Sequence, residues 1–567
     1  MKNNVYLTLA CAAMLALASV PWTSASRAFA RATEGDVYAI TGGTVVTVTG
    51  ATIPNGVVVI RNGLIEAVGA NAKIPADARV IDAKGMMVYP GLIDSYTSLG
   101  IQSAAASAQG ARGRGAGPPA ARPGPSTAED TEPSGLQPEL MAANELKVSG
   151  DTFDTHRSIG VTTALSAPRD GLYRGQSVLI NLGGDEAEKL ILKSPVTLNV
   201  SFSTVRGGQY PGSLLGVFAY LRQSLYDAHH YREEWARYNR NKRGVPRPEV
   251  NKSLEALQPV ISGEMPVIFW ADSALEIQRA VGLGEEFKLK YMIAGGLQSY
   301  QIADWLKEKN VTVLLSMNYP QRPQNLDDPE SESLRVLRYR ADAPKSAGAL
   351  SKAGVRFALQ SGYLTRPQDF LANAAKAIEA GLPKDEAIKA LTIYPAQILG
   401  VAEQLGSIEQ GKIANLVVTS GDLFERRTQV KYVFVDGKQY DVKAPTPPAG
   451  REGRGAGGRG SGGPGAPSAT MAAGSWALSI STPNGEIEAT LNLEQQGNSL
   501  SGSIDSPFGK FPLTGSINGN EVTYNYTANV QGQEAQVSAR GTIEGNSMRG
   551  TLSIMGQSID FRGTRTP

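Results

Sequence analysis

The sequence predicts an α/β protein: a (β/α)8 TIM barrel joined to a composite β-sandwich domain and followed by a separate all-β barrel. Three observations carry this. Between Val88 and Leu359, eight short apolar runs bounded by turn residues alternate with stretches of helical periodicity, the pattern of strands buried on both faces and covered by helices. On either side of that region, at Tyr38 to Asp82 and Ser407 to Val442, alternation with period two returns around Asn/Gly turns, so both ends build one sheet. From Gly474 to Pro567 about eight alternating strands follow one another across short turns such as Asn518-Gly519-Asn520, as in a closed antiparallel barrel.

Taken in order, residues 1–30 have the layout of a secretory signal peptide: Lys2, an apolar run from Val5 to Val20, then Ala28-Phe29-Ala30. The expected location is periplasmic or extracellular. The run falls short of the ~20 residues that cross a bilayer, and no later stretch is long and apolar enough, so no transmembrane helix is expected. Residues 36–88 and 405–443 form the composite sheet, with strands at Thr44 to Val48, Gly56 to Arg61 and Leu64 to Val68 around the Asn62-Gly63 hairpin turn.

The barrel spans 89–404. Its strands are Val88 to Ile93, Val161 to Leu165, Val178 to Leu182, Leu198 to Phe202, Val267 to Trp270, Tyr291 to Ala294, Thr312 to Leu315 and Val355 to Leu359. The third of these reads equally as part of an extra hairpin. Helices are expected at Leu214 to Arg240, Ser273 to Glu286, Gln301 to Lys309, Pro367 to Ala380 and Lys384 to Leu399. An insertion at 103–135, rich in Ala, Gly and Pro, and a Gly/Pro-rich linker at 444–473 have too little apolar content to order themselves by burial. The linker's Arg451, Arg454 and Arg459 read as solvated charges rather than an RNA contact. In the last domain, 474–567, the inward candidates are Trp476, Leu478, Ile480, Leu491, Leu493, Phe511, Val522, Tyr524, Val537, Leu552, Ile554 and Phe561.

Counting removes several chemistries. The 55 basic and 53 acidic residues leave a charge of +2, so no electrostatic footprint favours nucleic acid. The single cysteine, Cys11, lies in the leader, which excludes thiol catalysis, disulfides and thiolate metal sites from the mature chain. With three histidines, His156, His229 and His230, a site of three or four scattered imidazoles is excluded as well. No Gly-x-Ser-x-Gly elbow, Walker loop or dinucleotide fingerprint occurs.

Two segments carry a family likeness. Val80-Ile81-Asp82-Ala83-Lys84-Gly85 followed by Val88-Tyr89-Pro90-Gly91-Leu92-Ile93-Asp94, and Ala390-Leu391-Thr392-Ile393-Tyr394-Pro395-Ala396 followed by Gly406-Ser407-Ile408-Glu409-Gln410-Gly411-Lys412-Ile413-Ala414-Asn415-Leu416-Val417, resemble the opening and closing motifs of the metal-dependent amidohydrolase superfamily, of the secreted imidazolonepropionase-like kind. The likeness extends over Val37 to Val442. Gly474-Ser475-Trp476 is similar to the start of lipocalin-type barrels. The amidohydrolase resemblance implies a composite β-sandwich with a (β/α)8 barrel and one or two divalent metals, usually zinc, that activate water to attack a non-peptide C–N bond.

The ligand positions implied by the resemblance do not hold ligands. The first His-x-His pair falls at Tyr96 and Ser98, the fifth-strand histidine at Trp270, the sixth-strand histidine near Gly295 and the eighth-strand aspartate at Gly362. Indole N–H only donates, and glycine offers no side chain. No metal is therefore expected, and these five positions are expected to line a ligand pocket, with Tyr96 and Trp270 available for stacking. Asp94 and Asp272 are the remaining candidates for acid/base work or a hard-cation site; the alternative is that Asp94 caps its strand and Asp272 N-caps a helix. His229 and His230 diverge on one helix and do not chelate together.

Three functions follow. The chain is an amidohydrolase-fold binding or scaffolding protein without a catalytic metal, its partner an active amidohydrolase homologue or a small-molecule ligand; or it is a working hydrolase of C–N bonds with a non-standard site; or it is an envelope protein that binds a ligand through its C-terminal barrel. A fully side-chain-filled interior would weaken the third.

Overall fold

A computed structural model describes residues 37–101, 136–148, 150–184, 186–204, 210–322, 332–440, 442, 472–482, 485–496, 499–518, 520–530, 533–554 and 557–566. The signal peptide expected at 1–30, the insertion at 103–135 and residues 444–471 of the linker lie outside the described residues. The chain divides into two units, Met1–Ala449 and Gly450–Pro567.

The first unit opens with β1 (Tyr38–Val45), β2 (Ile53–Arg61), β3 (Leu64–Gly69), β4 (Arg79–Asp82) and β5 (Met87–Pro90), and closes with β16 (Leu416–Thr419), β17 (Val430–Val435) and β18 (Lys438–Tyr440). They make one eight-stranded sheet in the order β18-β17-β16-β5-β1-β2-β3, with β4 also paired to β1. The two flanks meet where Tyr89 on β5 faces Val417 on β16 in antiparallel register. Alternate residues bury one face: Tyr38, Ile40, Val58, Ile60, Val88, Leu416 and Phe434 form a common apolar cluster.

Between these flanks lie β6 (Leu92–Thr97), β7 (Val161–Ser166), β8 (Tyr173–Gln176), β9 (Val178–Asn181), β10 (Ile191–Lys193), β11 (Leu198–Ser201), β12 (Val267–Ala271), β13 (Tyr291–Gly295), β14 (Thr312–Ser316) and β15 (Phe357–Gln360). β11 to β15 pair in parallel and in sequence, as do β6 and β7. The barrel closes from β15 to β6 through one side-chain and one backbone bond: Ser95 Oγ donates to the Leu359 carbonyl at 2.8 Å, and the Gly362 N–H donates to the Tyr96 carbonyl at 3.1 Å. Ile93, Leu165, Leu179, Ile268, Met292, Leu314 and Ala358 fill the barrel, while their strand neighbours Val267, Phe269, Val313, Phe357 and Leu359 pack outward on the helices. This is the period-two division of a strand buried on both faces.

Two expectations are corrected. Val178 to Leu182 is not a parallel strand: β8 and β9 together take the third place in the barrel and run antiparallel to both neighbours, β9 to β7 and β8 to β11. Only Ala167 to Leu172 separates β7 from β8, and a parallel return needs a crossover of a dozen residues or more. The helix expected over Lys384 to Leu399 is two, Lys384–Leu391 and Ile393–Ile398, broken at Thr392 with φ −134° and ψ −87°. Pro395 brings no N–H to bond back to Leu391 and its ring crowds that carbonyl. The long helix Leu214–Arg240 starts on Ser213, whose hydroxyl accepts the Gly216 N–H at 3.2 Å.

The second unit is a closed antiparallel barrel of eight strands: β19 (Gly474–Thr482), β20 (Gly485–Gln496), β21 (Ser499–Ser506), β22 (Gly509–Asn518), β23 (Glu521–Val530), β24 (Gln533–Glu544), β25 (Ser547–Ile554) and β26 (Gln557–Arg565). β26 pairs back onto β19, Trp476 opposite Arg565 and Ile480 opposite Phe561, which removes both sheet edges. Ten of the twelve inward candidates are buried, Phe511 packs at the margin, and the side chain of Ile554 lies outside the description. Trp476 donates its indole N–H to the Ala472 carbonyl at 3.0 Å and lies under the Arg565 guanidinium at 4.6 Å.

Candidate functional site

The parallel strands of the first unit all end at one mouth. β8 runs the other way, so its first residues lie there too: Tyr173 pairs with Val200 near the end of β11. From Gly175–Asn199 to Tyr173–Val200 the ladder advances two residues on β8 and one on β11. Arg174 is therefore the extra residue of a β-bulge, a device that re-aims a side chain.

Arg174 is 6% exposed. Its Nη1 donates to the Tyr363 hydroxyl at 2.6 Å and, more weakly, to the Tyr96 hydroxyl at 3.4 Å. Its guanidinium lies 5.4 Å from the Trp270 ring centre, and its Nε is buried without a hydrogen-bond partner. Trp270 points inward two residues beyond Ile268 on β12 and packs on two rings, Tyr96 at 5.5 Å and Tyr363 at 4.7 Å. The mouth is thus closed by three aromatic rings and a buried cation.

Of the five expected pocket positions, Tyr96 and Trp270 are part of this packed cluster, and Tyr96 is only 1% exposed. Ser98 lies outside the cluster, in the turn after β6, where it lines a neighbouring cleft together with Gly362. Gly295, at the end of β13, has φ +99°, and a Cβ there would sit 2.5 Å from Asp272 Oδ1. Gly362 has φ +57°, and a Cβ there would meet Gln360 Oε1 at 2.8 Å and the Trp270 ring at 3.3 Å. At Gly295, where the Ala271 carbonyl also stands 2.9 Å away, a Cβ has no room, and at Gly362 it would have to displace the Gln360 side chain.

The two candidate carboxylates have separate partners. Asp94 is fully buried and accepts the Ser361 N–H at 2.9 Å, the Ser361 hydroxyl and the Tyr96 N–H at 3.3 Å. It ties the end of β6 to the turn after β15, and burial pushes its carboxyl up to about 6. Asp272 accepts the Trp270 indole N–H at 3.1 Å through Oδ2 and has a buried, unpartnered Oδ1; burial likewise pushes it up to about 6. It does not N-cap the following helix. Ser273 does, in a capping box with Glu276, because the hydroxyl one residue later reaches the first-turn N–H while Asp272 is held by the indole.

The histidines are apart from one another. His156, on the helix Gly150–Arg157, donates Nδ1–H to the Thr152 carbonyl at 2.8 Å, and burial holds it below the usual imidazole range. His229 packs on Phe287 and His230 faces Glu234. No group of three or more His, Cys, Asp or Glu side chains suited to a metal occurs among the described residues. The residues at the implied ligand positions do not fit a divalent cation: the indole N–H and the Arg174 N–H groups donate, the glycines are walled in, and the guanidinium repels a second cation.

Sequence reasoning missed Arg174 and Tyr363. Neither carried a local signal: Arg174 sits in the mixed stretch Leu172-Tyr173-Arg174-Gly175-Gln176-Ser177-Val178, and Tyr363 follows Gly362 directly.

Comparison with known proteins agrees with this fold. Residues 304–440 match the model of the amidohydrolase family. The crystal structure of an amidohydrolase from Thermotoga maritima MSB8 superposes with a TM-score of 0.59 at 25% identity, covering 71% of this chain and 99% of that one. An N-acetylglucosamine-6-phosphate deacetylase from Haemophilus influenzae is 42% identical over 66 residues, 12% of this chain and 16% of the relative.

Proposed function

From a chain that carries an amidohydrolase-family domain on a barrel of that fold, we propose a protein that has lost the family's catalytic metal centre and works by binding or scaffolding, exported and beside an active homologue or a small-molecule ligand. One observation carries this reading: Arg174, Trp270, Tyr96 and Tyr363 pack into one cluster at the mouth where the metal ligands would converge. A buried guanidinium supplies a fixed positive charge, and three rings fill the space beside it where a metal and its water would sit.

The hydrolase alternative rests on Asp94 and Asp272. The Asp94 carboxylate bonds Ser361 across the barrel's closure and the Tyr96 N–H of its own strand, and Asp272 is bound to an indole, which supports structural roles for both. For the C-terminal barrel, Trp476, Leu491, Tyr524, Phe561 and their neighbours form one continuous apolar cluster, which weighs against a ligand enclosed there. The leader-like layout of residues 1–30 is what supports export.

The test is metal content by mass spectrometry on protein purified without chelator from zinc-supplemented medium. Less than about a tenth of an equivalent is expected; a stoichiometric transition metal, which would need ligands of the usual donor set, overturns the reading.

A further inference from the structure

Beside the packed cluster a cleft of about 430 Å³ opens between the turn after β6, the helix Gly150–Arg157 and the segment after β15. Among the described residues its charged lining side chains are Lys147 and Arg169, with no Asp or Glu. Arg169 is exposed and makes no hydrogen bond or ion pair among the described residues; its guanidinium lies 4.4 Å over the Tyr363 ring. The same ring carries Arg174 at 5.6 Å, hydrogen-bonded to its hydroxyl. Tyr363 therefore carries one guanidinium over its ring and a second at its hydroxyl. Burial keeps its phenol protonated far above neutral pH, so it cancels neither charge.

The rest of the lining divides in two. Leu99, Ile101, Leu364 and Pro367 offer apolar surface. His156, with Nδ1–H committed to the Thr152 carbonyl, is left with Nε2 as an acceptor. The exposed Arg169 guanidinium against an apolar wall selects a molecule with one anionic end and one apolar end.

We propose that this cleft binds a small organic carboxylate, with Arg169 contacting the carboxylate from its place over the Tyr363 ring and Arg174 anchoring that ring through its hydroxyl. The inference rests on the reading of the mouth as a binding surface. Tyr363 fixes the Arg169 guanidinium by stacking, so less freedom is lost when the ligand arrives.

Calorimetric titration of the full chain with hexanoate, its uncharged counterpart hexanamide and inorganic phosphate tests this. Hexanoate is expected to bind saturably and hexanamide roughly tenfold or more weaker, the difference a charge-assisted contact makes. Arg169→Ala is expected to lower hexanoate affinity by a similar factor, with Arg169→Lys recovering part of it and neither changing the thermal midpoint. Absence of saturable hexanoate binding, equal affinity for hexanamide, or an Arg169→Ala variant that binds as wild type overturns the proposal. Phosphate binding tighter than hexanoate overturns the carboxylate assignment. Zinc content of the same sample decides the metal-free reading separately: a zinc-free protein that binds no hexanoate defeats this proposal alone.

Discussion

Replacing Asp94 by asparagine exposes the cost of closing the first barrel on a buried carboxyl. The side chain is fully buried and pushed up to about 6, against 3.8 for the free group, with burial the dominant cause and the Ser361 and Tyr96 bonds opposing it. A shift of about 2 units corresponds to roughly 3 kcal/mol. The sign follows from the direction. A carboxyl whose folded value is raised favours the folded state when protonated; that contribution is complete below about pH 3.8 and is lost as pH rises through about 6. Asparagine does not titrate. Its oxygen keeps the bonds from the Ser361 and Tyr96 N–H groups, and its amide meets the Ser361 hydroxyl, which turns to accept; these terms do not vary with pH. The stability of Asp94→Asn relative to wild type is therefore expected to climb by roughly 2.5 kcal/mol between pH 4 and pH 7. Asp272 and Asp436 are raised in the same direction, so the comparison with wild type at each pH is what isolates Asp94. Urea unfolding at constant ionic strength, with hydrogen exchange in β6 and β15 assigning the transition, provides the measurement. A difference that stays flat within about 0.5 kcal/mol, a third of a pKa unit's worth, would refute the argument and return Asp94 to an ordinary carboxylate.

Gly295→Ala places a methyl 2.5 Å from Asp272 Oδ1 at φ +99°, so a loss of about 2 to 4 kcal/mol is expected in the same unfolding assay. The double variant Tyr96→His with Ser98→His is expected to bind less than about a tenth of an equivalent of zinc, because four-coordinate sites need further ligands and Gly295, Gly362 and Trp270 supply none; near-stoichiometric zinc would show that the later positions are misplaced. Trp476→Ala removes the largest fully buried side chain of the C-terminal barrel and is expected to cost about 3 to 5 kcal/mol, read as faster hydrogen exchange across β19 and β26; unchanged exchange would mean that the indole is not part of the closed core.

How much of this was legible in the sequence depended on whether the signal was local. The parallel strands at Val267 to Trp270 or Thr312 to Leu315 announce themselves as apolar runs because both faces are buried, and the flanking sheet and the C-terminal barrel announce themselves by alternation and Asn/Gly turns. Strand direction does not show in such a run. Val178 to Leu182 is as apolar as its neighbours, and only the short connection from β7 makes it antiparallel.

The sequence by itself determined which residues stand at the positions the family resemblance implies, Tyr96, Ser98, Trp270, Gly295 and Gly362, and that the chain has three histidines, two of them adjacent. Residue identity settles donor chemistry without coordinates. Only the tertiary structure decided what stands there instead. Arg174 reaches the mouth because a reversed strand and a bulge turn it inward, and Tyr363 meets it from the far end of the chain's barrel region, 189 residues away. Likewise Asp94 became a closure group when Ser361, 267 residues later, came to its oxygens. Contacts between residues so distant in sequence leave no periodic trace, since each side chain is chosen by a partner that only the closed barrel brings near.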